Sequence, residues 1–473
     1  MKQQYLAGNM TINNTLRRGV LKLHTAVTGR QILSCLNELN RTQWLSKTEL
    51  MDLQRAKLKK LLNYAYKFVP YYQRIFDQAG FHPDDINHDP TAFHKLPILT
   101  KSLIRENFSE LQTTEPKLRK QLSEVTTSGS SGQPLLFLQD NAYRDNVTAD
   151  IQRHLGWAGW KMGQLHAYLW GSNFEETTEH YLRTHLIDWE WNRFLTNAYT
   201  LTEEKMAAFA EKVKRQNPRI LFGYASNLLW FAQHVRKQPD LKITFDGIIS
   251  SAEVLPDEFR QVIEETFKCK VLNRYGTKEL GGIACECEVQ NGLHVSAENN
   301  LVEILKDGKT AQPGETGSII VTNLNNLGMP FIRYSIGDEA AWDDEKECIC
   351  GRSSPRLKSV EGRIVEKFVT RDGRASWAGF AGDGYSSLFT QPSIKQFQII
   401  QESMDNITIR LVKDGEIPSS LLQRIEKTFQ KAFGENISVE FEFPDHISVL
   451  PSGKHQYAIS NINHSGNPDQ QSH

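Results

Sequence analysis

The alternation of apolar and polar positions divides the chain into three kinds of text. From Ser46, the stretch SKTELMDLQRAKLKKLLNYAYKF repeats leucines (Leu50, Leu53, Leu61, Leu62) at near-helical intervals until Pro70. An apolar stripe of that period predicts a helix packed on a core. Ser46, with Glu49 three residues on, has the spacing of a capping box and predicts where that helix starts. LPILTKSLIRENFSEL (96–111) predicts a second helix after Pro97. From about residue 120 to 360, the β-branched runs RILFGY, GIISSAE, CKVLNRYG and GSIIVTNL end at Gly, Ser or Asn. They alternate with helical text such as PDEFRQVIEETF, which predicts an α/β domain with a largely parallel sheet.

After Gly362 the period changes. IKQFQIIQESMDNITIRLV predicts two antiparallel strands around a Met-Asp-Asn turn, followed by an amphipathic helix, SSLLQRIEKTFQKAF, and a strand, ISVEFEF. This β-β-α-β order suits a small α+β domain of ~110 residues. The expected organisation is an N-terminal extension (1–45), a large domain (46–362), a small C-terminal domain (363–460) and a polar, disordered tail (461–473). No internal repeat is visible.

Composition narrows the function. A chain of 473 residues is too long for one ordinary core. Its 55 Lys+Arg balance 56 Asp+Glu, so no overall charge draws it to nucleic acid. No run reaches the ~18 apolar residues of a membrane span, and ILFGYASNLLWFA (220–232) is broken by Gly, Ser and Asn. The N-terminal text has no cleavable signal pattern. Six cysteines spread this thinly do not form a disulfide scaffold, which makes the cytoplasm the expected compartment.

TTSGSSGQPL (126–135) crowds small hydroxyls and glycines into one run. Such a run is either a mobile surface loop or a cradle of amides and hydroxyls for an anion. It is not the nucleoside-triphosphate loop that ends in Lys-Ser/Thr. Four further motifs follow it in order. RYGTKELGG (274–282) offers an aromatic, a hydroxyl and a carboxylate after a strand. FIRYSIGDEA (331–340) sets Asp338 after a glycine in a turn, where a carboxylate accepts two ribose hydroxyls or caps its own backbone. EGRIVEKF (361–368) carries Arg363 where the composition changes, and LPSGKHQY (450–457) carries Lys454 after a glycine.

The order of these motifs resembles the AMP-forming adenylating superfamily. It most resembles the phenylacetate-CoA ligase-like branch, whose members include capsular and exopolysaccharide biosynthesis proteins. VPYYQRIFDQAGFHPDDI and LPILTKSLIREN look like that branch's N-terminal signature, and the resemblance runs from about residue 45 to 457. It implies a large adenylate-forming domain with mixed sheets and flanking helices, plus a small α+β C-terminal domain. It also implies an ATP- and Mg²⁺-dependent ligase. A carboxylate attacks the α-phosphorus, giving acyl-AMP and pyrophosphate, and an acceptor such as CoA then displaces AMP.

Carried over by resemblance, Thr127, Ser128, Gly129, Ser130, Ser131 and Gly132 hold the β,γ-phosphates. Ser251, Ala252 and Glu253 line the adenine pocket, and Tyr275, beside Gly276, lies against the base. Thr277 touches the α-phosphate and Glu279 holds Mg²⁺. Asp338 binds the ribose with Arg363 nearby, while Lys454 bridges carboxylate and phosphate. Cys285, Cys287, His294, Cys348 and Cys350 stand at spacings that can close a tetrahedral zinc site. A similar Cys-x6-His plus Cys-x-Cys pattern binds zinc in some relatives, and the resemblance implies Cys287, His294, Cys348 and Cys350 as the ligands, with Cys285 spare. The set could equally be buried free thiols and a surface histidine.

Gln133 replaces a frequent lysine, Val365 replaces the usual hinge residue, and RDGRASWAGF departs from the segment that meets CoA. The acceptor is therefore CoA, an amine or a carrier. The alternatives are adenylyl transfer to a hydroxyl and a catalytically silent nucleotide-binding partner protein. Neither the carboxylate nor the oligomeric state is legible.

Overall fold

Strong stop and cap signals shape the N-terminal quarter. The protein is described by a computed structural model over residues 14–127, 135–171, 186–198, 201–344, 347–361, 367–369, 375–377, 388, 391, 393–434, 436–447 and 458–462. The chain opens with α1 (Asn14–Thr28) and α2 (Ile32–Thr42). α3 (Lys47–Phe68) starts at the expected capping box: the Ser46 hydroxyl accepts from the Glu49 N–H, and Glu49 accepts from the Ser46 N–H. Pro70 cannot continue α3 but suits a first turn, so α4 (Pro70–Gln78) begins there. The second predicted helix, α5 (Lys101–Glu106), is six residues long and capped by Thr100. A single turn, α6 (Pro116–Arg119), then leads into a hairpin of β1 (Ser123–Thr126) and β2 (Leu136–Gln139), followed by α7 (Asn141–Trp157).

One twelve-stranded sheet organises the large domain. β3 (His166–Leu169), β4 (Arg193–Thr196), β5 (Ile220–Gly223), β6 (Gly247–Ser251) and β7 (Val271–Thr277) run parallel. Their later crossovers use α8 (Glu203–Gln216), α9 (Ala225–Arg236) and α10 (Asp257–Phe267). β8 (Gly281–Glu286), β9 (Leu293–Val295), β10 (Asn300–Lys306), β11 (Lys309–Thr310), β12 (Thr316–Asn323), β13 (Tyr334–Trp342) and β14 (Arg356–Glu361) are paired antiparallel. The spatial order is β11-β10-β12-β13-β14-β9-β8-β7-β6-β5-β3-β4. The largely parallel sheet expected from the alternation therefore holds for one half only. Lys278 to Leu280 is too short a link for a crossover, so β8 must fold back on β7.

Each face of the parallel half is covered. Phe209, Phe231, Phe259 and Phe267 of α8–α10 are buried on one face, while Ile249, Leu272 and Cys285 meet the α7 side with Trp157. The antiparallel half packs on α3 and α4 through Leu61, Leu62, Phe76, Phe137 and Tyr334, all fully buried. Burying a side chain of that size contributes about 1.5–3 kcal/mol. α2 packs on α7, so the helical part of the N-terminal extension is joined to the large domain.

β15 (Lys367–Val369) and β16 (Ala375–Trp377) form a short pair. The predicted β-β-α-β order follows as β17 (Ile394–Ser403), β18 (Asn406–Lys413), α11 (Ser419–Phe433) and β19 (Ser438–Glu442). The turn lies at Met404 and Asp405, as the text signalled. β20 (Ala458–Ser460) joins as a parallel edge, giving β19-β18-β17-β20. Phe397, Ile399, Ile407 and Leu411 share an apolar cluster with α8–α10, and Lys395–Glu203 and Lys237–Asp414 pair across the junction at 3.6 and 3.5 Å.

Candidate functional site

In open α/β sheets ligands bind outside the carboxyl ends of the parallel strands. β7 is the last parallel strand before the sheet turns antiparallel. Its hairpin with β8 carries Tyr275, Gly276, Thr277 and Glu279. A Cβ on Gly276 would lie 2.3 Å from the Gly281 carbonyl oxygen, so only glycine lets the two strands close. Ile283 is the extra residue of a bulge between the Tyr275–Ala284 and Gly276–Gly282 pairs. Thr277 Oγ1 accepts from the Leu280 N–H at 3.2 Å, which fixes the tip.

A second bulge brings in Asp338. Between the pairs Ser318–Glu339 and Ile320–Ser335, β13 carries Ile336, Gly337 and Asp338 opposite a single residue of β12. Gly337 takes φ +90°, which a side chain would resist. The bulge turns Asp338 towards the hairpin, and Tyr275 Oη donates to Asp338 Oδ2 at 2.7 Å. Two predicted residues 63 positions apart are thereby joined.

Glu279 is buried against Tyr334, whose hydroxyl donates to Glu279 Oε1 at 3.3 Å. Tyr143 of α7 holds the Glu279 carbonyl at 2.8 Å. Thr127 closes the mouth of the Ser/Gly run: its N–H donates to the Leu135 carbonyl, and its hydroxyl accepts from the Leu135 N–H, both at 2.9 Å. Lys278 Nζ then donates to the Thr126 carbonyl at 2.7 Å, tying the β7–β8 hairpin to the base of that run. Ser128 to Gly132, Arg363 and Lys454 lie outside the described residues.

Ser251 ends β6, and its hydroxyl donates to the Arg274 carbonyl at 2.9 Å. Ala252 takes φ +69°, a left-handed turn rare for a residue with a side chain. Glu253 Oε2 accepts from the Ser226 N–H at 2.9 Å and so caps the start of α9. That helix has no capping side chain from Tyr224 itself, so the carboxylate meets an open backbone donor and the positive end of the dipole.

Cys287, His294, Cys348 and Cys350 offer four ligand atoms that all lie within 4.8 Å of one another. The Cys287 and Cys348 sulfurs are 3.8 Å apart, and Cys350 Sγ is 3.4 Å from His294 Nε2. A tetrahedral zinc with Zn–S near 2.3 Å requires S–S edges of about 3.8 Å and S–N edges of about 3.5 Å. His294 Nδ1 is 3.1 Å from Ser354 Oγ, which orients the ring so that Nε2 faces the sulfurs. Burial pushes the Cys287 thiol up to about 12 and the His294 imidazole down to about 4. At Cys348, burial is outweighed by hydrogen bonds from the Cys350 backbone and neighbouring side chains, which bring the thiol below its ordinary value, and the neutral imidazole of His294 is in the form that ligates a metal. Cys285, the spare, points to the fully buried core beside Trp157.

Sequence reasoning missed a buried charge network that underlies both corners. Arg153 of α7 donates to Asp150 at 2.6 Å and Glu298 at 2.8 Å, with all three nearly inaccessible. Asp150 also accepts from Ser296 Oγ, and Glu298 accepts from Thr42 of α2 at 3.0 Å. Arg274, the residue before Tyr275, reaches His154 Nδ1 at 3.2 Å and Ser251 Oγ at 3.5 Å. The polar positions QRH within α7 were the available signal, since charges facing a core must be paired there.

Comparison with known proteins follows this geometry. Residues 385–461 match the CapK C-terminal domain. Protein CapK of Staphylococcus aureus is 24% identical over 88% of this chain and 90% of its own length. The phenylacetate-coenzyme A ligase of Thermus thermophilus is 26% identical over 69% of this chain and 73% of that protein. Among solved structures, 2-hydroxyisobutyryl-CoA ligase in the postadenylation state superposes with a TM-score of 0.71. It is 18% identical, covering 89% of this chain and 92% of that one. The same ligase in an open conformation gives 0.56. The fold is that of the adenylate-forming ligases, with a small C-terminal domain of CapK type.

Proposed function

We propose that this chain, a homologue of Protein CapK and of the phenylacetate-CoA ligases, activates a carboxylate by adenylation and passes the acyl group to an acceptor. What carries the reading is the meeting of Tyr275 and Asp338 where the sheet reverses, with Glu279 and Thr277 on the same hairpin. ATP would lie with its base near Ser251–Glu253 and Tyr275, and its ribose hydroxyls would donate to Asp338. Its phosphates would meet Thr127 and the run Ser128–Gly132. Mg²⁺ would be held by Glu279 and supply positive charge to the phosphate oxygens.

The reaction joins two anions. A carboxylate oxygen attacks the α-phosphorus, the bond to pyrophosphate breaks, and Lys454 and Thr277 offset charge on the in-line phosphate. By the resemblance, Arg363 would stand beside the ribose. In the second half-reaction the acceptor attacks the acyl carbonyl and AMP leaves. CoA is the proposed acceptor class, since the relatives named above include CoA ligases. A role on the cytoplasmic side of capsule or exopolysaccharide synthesis is consistent with the CapK-type domain. No helix among the described residues is long and apolar enough to cross a membrane.

Zinc at Cys287, His294, Cys348 and Cys350 is the second part of the proposal. The 3.8 Å S–S and 3.4 Å S–N separations support a four-protein-ligand tetrahedron, which would leave no position for substrate and make the ion structural.

Acid-dependent exchange of labelled pyrophosphate into ATP, measured with pools of aryl, fatty, hydroxy and amino acids, tests the first half-reaction. Exchange with one pool supports adenylation and names the acid class. Lys454→Ala should lower that exchange on the order of a hundredfold while leaving ATP binding intact. ATP binding without exchange in any pool would replace ligation with AMP transfer or a binding role.

A further inference from the structure

Two stretches early in the chain carry cations and no acid, residues 1–37 and 53–76. In the first, Lys2, Arg17, Arg18, Lys22 and Arg30 face no Asp or Glu of the same stretch; Arg30 is paired with buried Asp145, and Lys22 is exposed. α1 lies within this stretch and is amphipathic in an unusual sense. Its buried contacts are made by Leu21 and Thr25, yet Leu23 and Val27, one turn apart on another face, are 66% and 78% exposed. Val20 sits on that same face by spacing, three residues before Leu23.

The apolar surface continues beyond the helix. Arg17 donates to the Trp189 carbonyl and lies 5.6 Å over the Trp189 ring, placing residues 186–190 alongside α1. There Leu186 is 67% and Trp189 43% exposed. Two acids lie in this neighbourhood: Glu190 pairs with His24 and has a side chain only 9% exposed, and Asp188 pairs with Arg193 at 2.8 Å with a side chain 15% exposed, so neither offsets the exposed Lys22 at the surface.

We infer that α1, with the Leu186–Trp189 edge, is a docking surface for an anionic lipid bilayer. Exposed aliphatic side chains flanked by cations, with a tryptophan at the margin, are what a helix lying in a headgroup region requires. A second copy of this chain is the poorer occupant, because pairing two such helices would bring cations together with no acid on either α1 to oppose them. An acidic protein with an apolar groove is the competing occupant, and the competition experiment below separates it from a bilayer. The surface would hold an otherwise water-exposed enzyme against a membrane without spanning it.

The test is co-sedimentation of the full chain with vesicles of phosphatidylcholine alone or mixed equally with phosphatidylglycerol. Binding to the anionic vesicles is expected to exceed binding to neutral ones at least tenfold and to collapse at about 0.5 M salt. Lys22→Glu should weaken it on the order of tenfold, and the double variant Leu23→Glu, Val27→Glu should abolish it. Both variants should keep the wild-type circular dichroism and melting profile, since these side chains face water. Equal binding to both vesicle types, no binding to either, or undiminished binding by the double variant would overturn the inference. So would a lipid-free dimer that the double variant dissolves, or an acidic protein that competes the chain off vesicles through α1.

Discussion

The proposed nucleotide corner and the cysteine corner both grow from the strands β7 to β9, yet they are assembled by opposite means. The cysteine corner draws four ligand atoms into a sphere within which none is more than 4.8 Å from another. The nucleotide corner is spread over a hairpin, a bulge in β13, a turn after β6 and the mouth of a loop, tied by single hydrogen bonds such as Lys278 to Thr126. A closed set satisfies itself and serves the fold. An open set leaves donors and carboxylates around a gap that a substrate must complete. By this reading, closure rather than position in the sheet separates the proposed structural role from the proposed catalytic one.

The contrast is sharpest when the closed corner is opened. Chelation, or Cys348→Ser, should remove a tetrahedral ligand set and lower the thermal midpoint by more than ~10 °C. Metal analysis should fall from one zinc per chain to none, whereas Tyr275→Phe should leave it unchanged. A protein that purifies without zinc and melts identically with chelator would reduce that corner to packed thiols.

Next in size is Arg153→Met, which strands Asp150 and Glu298 without their shared cation and should cost about 3–5 kcal/mol in denaturant unfolding. Because the network underlies both corners, zinc retention and nucleotide affinity should decline together. A loss confined to one of them would show that the two are independent.

Acid supplies a smaller, graded effect. Burial holds the His166 imidazole down at about 3 and His154 well below its ordinary value. A depressed histidine contributes stability that is complete above the unfolded value near 6.5 and is lost as pH falls. Each such histidine should remove about 1.4 kcal/mol of stability per pH unit below 6.5. His166→Gln should flatten the slope of unfolding free energy against pH by that amount.

The smallest effect belongs to the open corner. Tyr275→Phe removes one hydrogen bond to Asp338 and should raise the KM for ATP severalfold, corresponding to about 1 kcal/mol, with no change in melting temperature. Asp338→Asn should do more, since both its partner and the proposed ribose contact depend on the carboxylate.

Much of this was legible in the text of the chain, for reasons of locality. A capping box, a proline stop and a two-residue turn act over a few positions, so Ser46, Pro70 and Met404–Asp405 declared themselves. That Cys287, His294, Cys348 and Cys350 come together was signalled by the resemblance, and the structure brings their ligand atoms within 4.8 Å of one another. What the text hid was set at long range. The reversal at β8 turns on a three-residue link within RYGTKELGG that was read for chemistry rather than for topology. The Tyr275–Asp338 contact depends on a bulge in another strand. Nothing in the sequence singles out Arg153, Asp150 and Glu298 as a network, because only tertiary packing buries this part of α7.

The sheet's change of direction also has a consequence in time. β10, β12 and β13 pair with near neighbours in the chain, so that half can zip from local hairpins. The strands from β3 to β7 must wait while intervening helices are threaded and docked. Local pairings form early and crossovers late, because chain closure is opposed by entropy until distant contacts are made. The molecule would then be born from its antiparallel side. The crevice at β7 would be the seam along which the late half joins the early one, and a nascent chain could not hold nucleotide until that seam had closed.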